Sequence, residues 1–257
     1  MDFDCHAHVY EQITAVPGAR YVPSVPAHLS DWLKSHEKHG LKGGVIVQVS
    51  FLGTDNSELC AALTKLDHKR FAGVAVVPLE VSEEALDALV KAGVCGIRWN
   101  LVGGASIPDL ETKSVQQFLN RLSKRNMHLE VHLEAAKLNA DLAHLTDCGV
   151  NVVLDHFGLP SNPAPSEDPL IQAIGNIADT SSLYFKFSAP YRTQFDLRPH
   201  AREILNCVGD KNIVWGSDWP HTQHEHVTDF DILCEQRHQW GIPSDHAAVK
   251  ALYGLEL

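Results

Sequence analysis

The sequence predicts an α/β fold, a single (β/α)8 TIM barrel in which eight parallel strands alternate with helices. Three observations lead to this prediction. The chain has 257 residues, close to the roughly 250 that are typical of one such barrel. Short β-rich runs recur about 30 residues apart, which is the size of one strand–helix unit. Stretches with helical periodicity fill most of the gaps between them, so we expect one barrel domain over residues 1–257.

Eight runs are predicted to be the strands of the barrel. They cover Asp2–His8, Gly44–Ser50, Phe71–Val77, Val94–Asn100, His128–Leu133, Asn151–Asp155, Leu183–Ser188 and Asn212–Gly216. Helical patterns cover Ser57–His68, Glu83–Ala92, Ser114–Asn126, Ala136–Cys148, Pro169–Asp179 and Pro199–Val208, and a closing helix with a short tail is expected over Ser244–Leu257. Glycines at the ends of several patterns are typical of helix C-caps, as at Gly40, Gly93 and Gly149.

An open doubly wound sheet is the nearest alternative fold. That fold usually carries a glycine-rich phosphate loop after its first strand. Here the first strand ends in His-Ala-His, and the sequence contains no G-x-G-x-x-G motif and no Walker motif. The barrel is therefore preferred, and nucleotide binding has no support.

Composition excludes several function classes. Hydrophobic residues make up 44% of the chain and charged residues 21%, which is ordinary for a globular protein. Acidic residues outnumber basic ones by 32 to 21, a balance that disfavours nucleic acid and anionic membranes as partners. The six cysteines are dispersed, and the first residues do not resemble a secretory signal. We therefore expect a cytoplasmic protein with free thiols that acts on a small molecule.

In a barrel of this type the active site lies at the carboxyl ends of the strands. The first strand places His6 and His8 two residues apart, so alternation predicts that they share a face and that Cys5 points away. Two such imidazoles can bind one metal ion or donate hydrogen bonds to one substrate oxygen. The second strand ends with Gln48 and Ser50, which offer neutral hydrogen bonds to a substrate or are ordinary polar residues.

The fourth and fifth strands carry charged residues among apolar ones. Arg98 needs a partner, either a structural carboxylate or a substrate carboxylate. In the fifth strand His132 is the best placed for chemistry. Glu130 is expected to hold the His132 imidazole or to pair with Arg98, and His128 is expected to lie low in the barrel.

The last three strands end in further candidates. His156 interrupts an apolar run abruptly, and alternation predicts that Asp155 faces away from it and caps the following loop. Arg192, just past the seventh strand beside Tyr191, is a candidate for binding a substrate anion. Asp218 stands in the string Trp-Gly-Ser-Asp-Trp-Pro at the end of the eighth strand, where a carboxylate near histidines is a natural general base.

Taken together, these motifs resemble the amidohydrolase superfamily. The chain is most similar to its amidohydrolase-2 branch, and within that branch to the pyrone-dicarboxylate lactonases and sugar lactonases. The resemblance covers the whole chain, through the strings DCHAHV, VQVSFLGTDN, GIRWN, HLEVHLEA, VVLDHFG, KFSAPYR and WGSDWPH.

The resemblance implies a hydrolytic water activated by Asp218, with His6, His8 and His156 around the scissile carbonyl. Many members bind zinc, in which case His6, His8 and Asp218 would be ligands; the pyrone lactonases are thought to work without metal. Further residues match substrate contacts of the family or line the expected site: Arg98, Arg192, His132, Ser50, Gln48 and Tyr191. In the dicarboxylate lactonases a second arginine follows the GIRWN position, where this chain has Leu101–Gly104.

The function predicted is therefore hydrolysis of a small lactone, mono-carboxylated or derived from a sugar. The alternatives are a zinc-dependent decarboxylase of the same branch and a barrel that binds a ligand without turnover. A homo-oligomer is compatible with the sequence.

Overall fold

A computed structural model describes residues 2–242 and 246–257. Eight parallel strands form one sheet in the order β1 to β8, which confirms the predicted barrel. The strands are β1 Phe3–Ala7, β2 Gly43–Val47, β3 Phe71–Ala75, β4 Val94–Asn100, β5 His128–His132, β6 Val152–Leu154, β7 Leu183–Phe187 and β8 Ile213–Trp215. Each strand begins within one residue of the start of its predicted run.

Ten α-helices are described. They are α1 Leu29–His39, α2 Ser57–Leu63, α3 Glu83–Lys91, α4 Lys113–Ser123, α5 Ala135–Leu138, α6 Leu142–Thr146, α7 Pro169–Gly175, α8 Arg198–Val208, α9 Phe230–Gln236 and α10 Ala247–Tyr253. The single helix predicted over Ala136–Cys148 is thus two short ones, and Ser244 of the predicted closing helix lies outside the described residues. The longest helices have 11 residues, and none in the described ranges could span a bilayer.

The barrel closes between β8 and β1 without a regular ladder. One bridge joins Ala7 to Trp219, and the buried Asp4 carboxylate accepts hydrogen bonds from the Ser217 backbone N–H at 2.8 Å and hydroxyl at 2.6 Å. Gly216 allows the close approach, because a Cβ there would lie 2.4 Å from the Cβ of His6. Two backbone hydrogen bonds also cross this seam, from the Asp218 N–H to the His6 carbonyl oxygen at 2.8 Å and from the His8 N–H to the Trp219 carbonyl oxygen at 2.7 Å.

Helix α10 seals the amino-terminal end of the barrel. Its buried residues, including Leu252 and Tyr253, pack with inward-facing Phe3 and Cys5 in one apolar cluster. The other apolar side chains of the sheet pack outward against the helices in a larger cluster. In the described ranges this apolar packing closes one end of the barrel, so a ligand would reach the interior from the carboxyl ends of the strands.

Candidate active site

Three histidines converge on one aspartate at the carboxyl ends of the strands. The Nε2 atoms of His6, His8 and His156 lie 3.6, 3.5 and 3.9 Å from Asp218 Oδ1. We call these four residues the histidine–aspartate cluster. All four side chains are buried. The structure therefore brings together the four residues that the sequence predicts to be catalytic.

A bulge in β1 aims His6 into the barrel. Asp4 pairs with Gly44 and Ala7 pairs with Ile46, so three steps along β1 oppose two along β2. Cys5 consequently joins the interior apolar cluster although His6 also faces inward. The expectation that Cys5 points away from His6 is wrong, because the bulge interrupts the alternation.

Unusual backbone angles place His156 and Asp218 in the cluster. His156 has a φ of +53°, Phe157 a φ of +58° and Asp218 a φ of +57°. Residues other than glycine adopt this left-handed region rarely and at an energetic cost, and such strain concentrates at functional sites. Sequence patterns do not reveal these turns.

Asp218 is held as an ionised carboxylate. Its Oδ2 accepts hydrogen bonds from the Tyr191 hydroxyl at 2.6 Å and from Arg192 Nη2 and Nε at 2.8 and 3.2 Å. Burial alone would raise the pKa of Asp218, but the Arg192 guanidinium and the three histidines together outweigh it and hold the pKa well below its usual value of 3.8. Tyr191 and Arg192 therefore contact the predicted base in this state.

The facing atoms of the cluster lack partners. His6 Nε2, His156 Nε2 and Asp218 Oδ1 are buried and have no hydrogen bond to any described residue. Burial lowers the pKa of His6, helped by Lys186, from 6.5 to about 4, and burial also lowers that of His156, so both rings are neutral at neutral pH. Buried polar atoms without partners are rare, and here they surround a position for a water, a substrate oxygen or an ion.

The same atoms could hold a metal ion by their spacing and type. His6, His156 and Asp218 each offer one ligand atom, all within 4.8 Å of one another. Two neutral imidazoles and a carboxylate are donors that zinc accepts. The ligand set expected from the sequence is His6, His8 and Asp218, so His156 replaces His8 in this trio.

A second set of buried charges lies beneath the cluster. Arg98 Nε donates to Asp155 Oδ2 at 2.8 Å, and Lys186 Nζ lies 2.5 Å from Glu130 Oε1 and 3.7 Å from Asp155 Oδ1. We call these four residues the ionic layer. Among them, sequence reasoning missed Asp155 as a member of the site.

The roles expected of Asp155 and Glu130 are both wrong. Asp155 does not cap the loop with its side chain; it points into the barrel toward Arg98, because its extended backbone continues the alternation of β6, in which Val153 faces inward and Leu154 outward. Glu130 binds Lys186 and lies 3.2 Å from His128 Nε2, so its described partners do not include Arg98 or His132. His128 does lie low in the barrel, with its Nδ1 3.2 Å from the carbonyl oxygen of Leu252 in α10.

A cavity of about 580 Å³ opens beside the cluster. His132 and Arg192 lie in its wall, together with Val102, Glu134, Leu159, Pro160, Ser161, Pro163, Thr193, Gln194, Phe195 and His224. His132 Nδ1 is 3.0 Å from Arg98 Nη2, which ties this wall to the ionic layer. Of the predicted substrate contacts, His132 and Arg192 thus face a space that can hold a ligand.

Gln48 and Ser50 are placed differently. The Gln48 amide is buried and donates to the carbonyl oxygen of Asp55 at 2.5 Å. Ser50 is exposed at the start of a 3-10 helix. Within residues 2–242 and 246–257, neither side chain hydrogen-bonds to the cluster.

The loop after β1 crosses the mouth of the barrel. Arg20 donates to the carbonyl oxygen of Val102 and, at 3.3 Å, to Asn100 Oδ1, both after or at the end of β4. The next residue, Tyr21, donates its hydroxyl to Glu225 Oε1 at 2.7 Å in the segment after β8. Because β4 and β8 are opposite in an eight-stranded barrel, residues 9–27 form a strap over the site.

Comparisons with known proteins agree with this architecture. The chain is 25% identical over 252 residues to 2-pyrone-4,6-dicarboxylate hydrolase of Comamonas testosteroni, with 90% of this chain and 81% of that one covered. It is 22% identical over 229 residues to 4-sulfomuconolactone hydrolase of Hydrogenophaga intermedia, covering 86% and 75%. The crystal structure of a candidate 2-pyrone-4,6-dicarboxylic acid hydrolase from Pseudomonas putida matches with a TM-score of 0.88 and 30% identity, covering 99% and 98%. The model of the Amidohydrolase family matches residues 3–254, and the chain therefore belongs to that family.

Proposed function

We propose that this protein is a cytoplasmic hydrolase that opens a small lactone. The observation that carries the proposal is an ionised, buried Asp218 whose free oxygen faces two unpartnered imidazole nitrogens beside a cavity walled by Arg192. Two relatives named as hydrolases of a pyrone dicarboxylate and of a muconolactone support this substrate class.

The chemistry follows from the cluster. A water between Asp218 Oδ1 and the substrate loses a proton to that oxygen as it attacks the lactone carbonyl. The carbonyl oxygen gains negative charge and accepts hydrogen bonds from the nearby imidazoles. As the tetrahedral intermediate collapses, the ring C–O bond breaks and Asp218 returns the proton to the leaving oxygen. The product is a hydroxy acid or its keto tautomer.

Arg192 has a second task in this scheme. An arginine is suited to bidentate binding of a substrate carboxylate. When a substrate carboxylate draws the guanidinium away from Asp218 Oδ2, the strongest of the contacts that lower the pKa of Asp218 is removed. The aspartate then becomes a stronger base when substrate is present. A mono-carboxylated lactone, or one derived from a sugar, fits a single arginine at this wall.

A divalent ion is compatible with the donors at this site. His6, His156 and Asp218 would hold it, with His8 beside them, and when bound it would polarise the carbonyl as a Lewis acid. The proton transfers at Asp218 and the substrate contact of Arg192 are the same in either case.

A proton-release assay tests the proposal. Aromatic, muconic and sugar lactones are each incubated with the protein, with and without a chelator, and acid release is followed with a pH indicator. We expect release from at least one lactone. Release of carbon dioxide from an aromatic carboxylate, with no acid release from any lactone, would instead support the zinc-dependent decarboxylase.

A further inference from the structure

Lys186 contacts the cluster from below. Its Nζ lies 3.1 Å from His6 Nδ1, and both side chains are fully buried. Glu130 Oε1 at 2.5 Å and Asp155 Oδ1 at 3.7 Å surround the same ammonium group. Two carboxylates are therefore arranged around this one ammonium group. None of the reaction steps proposed above uses this residue.

The contact fixes which nitrogen of His6 carries the proton. A lysine ammonium has three donors and no acceptor, so His6 Nδ1 can only accept from it. A neutral imidazole that accepts at Nδ1 carries its hydrogen at Nε2. We infer that Lys186 is a positioning residue that holds His6 as an Nε2–H donor aimed at the substrate carbonyl. The role toward the carbonyl rests on the proposed function, but the tautomer does not.

His8 has the opposite tautomer. Its Nδ1 lies 2.8 Å from the carbonyl oxygen of Val47, which can only accept. His8 therefore carries its hydrogen at Nδ1 and presents a lone pair at Nε2, 3.5 Å from Asp218 Oδ1. A water bound beside Asp218 can donate one hydrogen to each. The two histidines of the His-Ala-His motif thus divide the work: His6 donates to the carbonyl and His8 accepts from the water.

The same contact means that a metal ion bound at His6 Nε2 would first have to displace the hydrogen there. Histidine ligands usually donate their second ring N–H to a carboxylate, which leaves the other nitrogen free for the metal. A carboxylate is present, because Asp155 Oδ1 lies 3.4 Å from His6 Nδ1 and has no hydrogen-bond partner in the described part of the chain. Lys186 occupies the position on Nδ1 that this pairing would need. Replacing the ammonium should move the His6 proton to Nδ1 and expose a lone pair at Nε2.

Nitrogen NMR of the intact protein tests the inference without substrate. The protein is labelled with ¹⁵N-histidine, and the His6 ring signals are identified by their loss in His6→Gln. Long-range ¹H–¹⁵N spectra near neutral pH should show the Nε2–H form of His6 and the Nδ1–H form of His8. An Nδ1–H form of His6 would overturn the inference. Either result is independent of whether any lactone is turned over.

Two substitutions of Lys186 distinguish a residue that positions His6 from one that only stabilises the fold. In Lys186→Met the His6 proton should move to Nδ1, zinc retained after dialysis should rise, and lactone turnover should fall about 100-fold, the effect of losing one oxyanion donor. Lys186→Arg keeps a donor-only cation and should keep the Nε2–H signal. An unchanged His6 tautomer in a folded Lys186→Met protein would contradict the inference. If that variant does not fold, the wild-type spectrum decides alone.

Discussion

The ionic layer and the histidine–aspartate cluster are equally buried but differ in how their polar atoms are paired. In the ionic layer each charged side chain lies within 3.7 Å of one of opposite sign. In the cluster three facing atoms have no hydrogen bond to any described residue. Their nearest contacts to one another are 3.6 Å and longer. The difference indicates that the charges of the layer compensate one another, whereas the facing atoms of the cluster are placed to contact a ligand.

This contrast predicts opposite outcomes for substitutions in the two regions. Removing one partner from a buried ion pair leaves an uncompensated charge and lowers stability strongly. Removing an atom that has no partner costs little stability but removes a contact to the reacting molecule. Changes in the layer should therefore act mainly on folding, except at Lys186, which also contacts His6, and changes in the cluster should act mainly on turnover.

The largest effect is expected for Asp218→Asn. The amide cannot take a proton from water, so kcat for lactone hydrolysis should fall about 1,000-fold, or about 4 kcal/mol of barrier. The free energy of unfolding should fall by less than in a variant of the layer, because the Arg192 side chain that loses its charged partner is part-exposed. Steady-state kinetics and a denaturant titration of the same preparation measure both. Wild-type turnover in this variant would show that Asp218 is not the base.

In the ionic layer, Glu130→Gln should lower the free energy of unfolding more than it lowers turnover. This change removes the charge closest to the Lys186 ammonium, so the free energy of unfolding should fall by about 3 kcal/mol. Denaturant unfolding measures the loss. Glu134→Gln is a matched control, because Glu134 is part-exposed and its pairing with Lys137 contributes at most about 1 kcal/mol. An equal free energy of unfolding in the two variants would contradict the role of the ionic layer in stability.

As the pH falls, protonation of His6 in the unfolded chain should lower the free energy of unfolding before Asp218 becomes protonated. The pKa of His6 is about 4 in the folded protein and about 6.5 when unfolded, so between these values only the unfolded chain gains the proton. The free energy of unfolding should fall as the pH drops from 6.5 to 4, by about 2 to 3 kcal/mol from His6. His6→Gln should reduce this slope, as measured by unfolding at several pH values. The carboxylate of Asp218, with its lowered pKa, becomes protonated only below this window.

The smallest effect is expected at the strap. Arg20 contacts neutral oxygens beside the stretch Leu101–Gly104 and has no ion pair with a described residue, so its charge is free to meet a second anionic group. Arg20→Gln should raise KM a few-fold for a dicarboxylated lactone and leave a mono-carboxylated one unchanged, in line with about 1 kcal/mol for an exposed pair. Equal increases for both lactones would indicate that Arg20 only holds the strap.

The fold was predictable because its signals are local. Strand runs and helical patterns alternate along the chain, and this alternation determines a parallel barrel. The strand starts agree with the prediction to within one residue, since the buried β-rich runs are bounded by polar segments. The sequence patterns do not give bounds for α1 and α9. They do correctly predict that Gly40 ends a helix, and its φ is +68°.

The candidate site was predictable only in part. His6, His8, His156 and Asp218 were identified because each follows or ends a strand, where this fold concentrates chemistry. That His156 faces the site as well as its neighbour Asp155 depends on the left-handed backbone angles of His156 and Phe157 just after β6, which no periodicity reports. The contact of Lys186 with His6 joins residues 180 positions apart and exists only once the barrel closes.

The central claim is that Asp218 delivers a water to a lactone carbonyl. The most direct measurement is turnover of a lactone substrate in H₂¹⁸O, with the product analysed by mass spectrometry after a single enzymatic cycle. Our account predicts one ¹⁸O atom in the newly formed carboxylate and negligible labelled product with Asp218→Asn. A product that forms at the enzymatic rate without solvent oxygen would mean that the ring is rearranged rather than hydrolysed, and would contradict the claim.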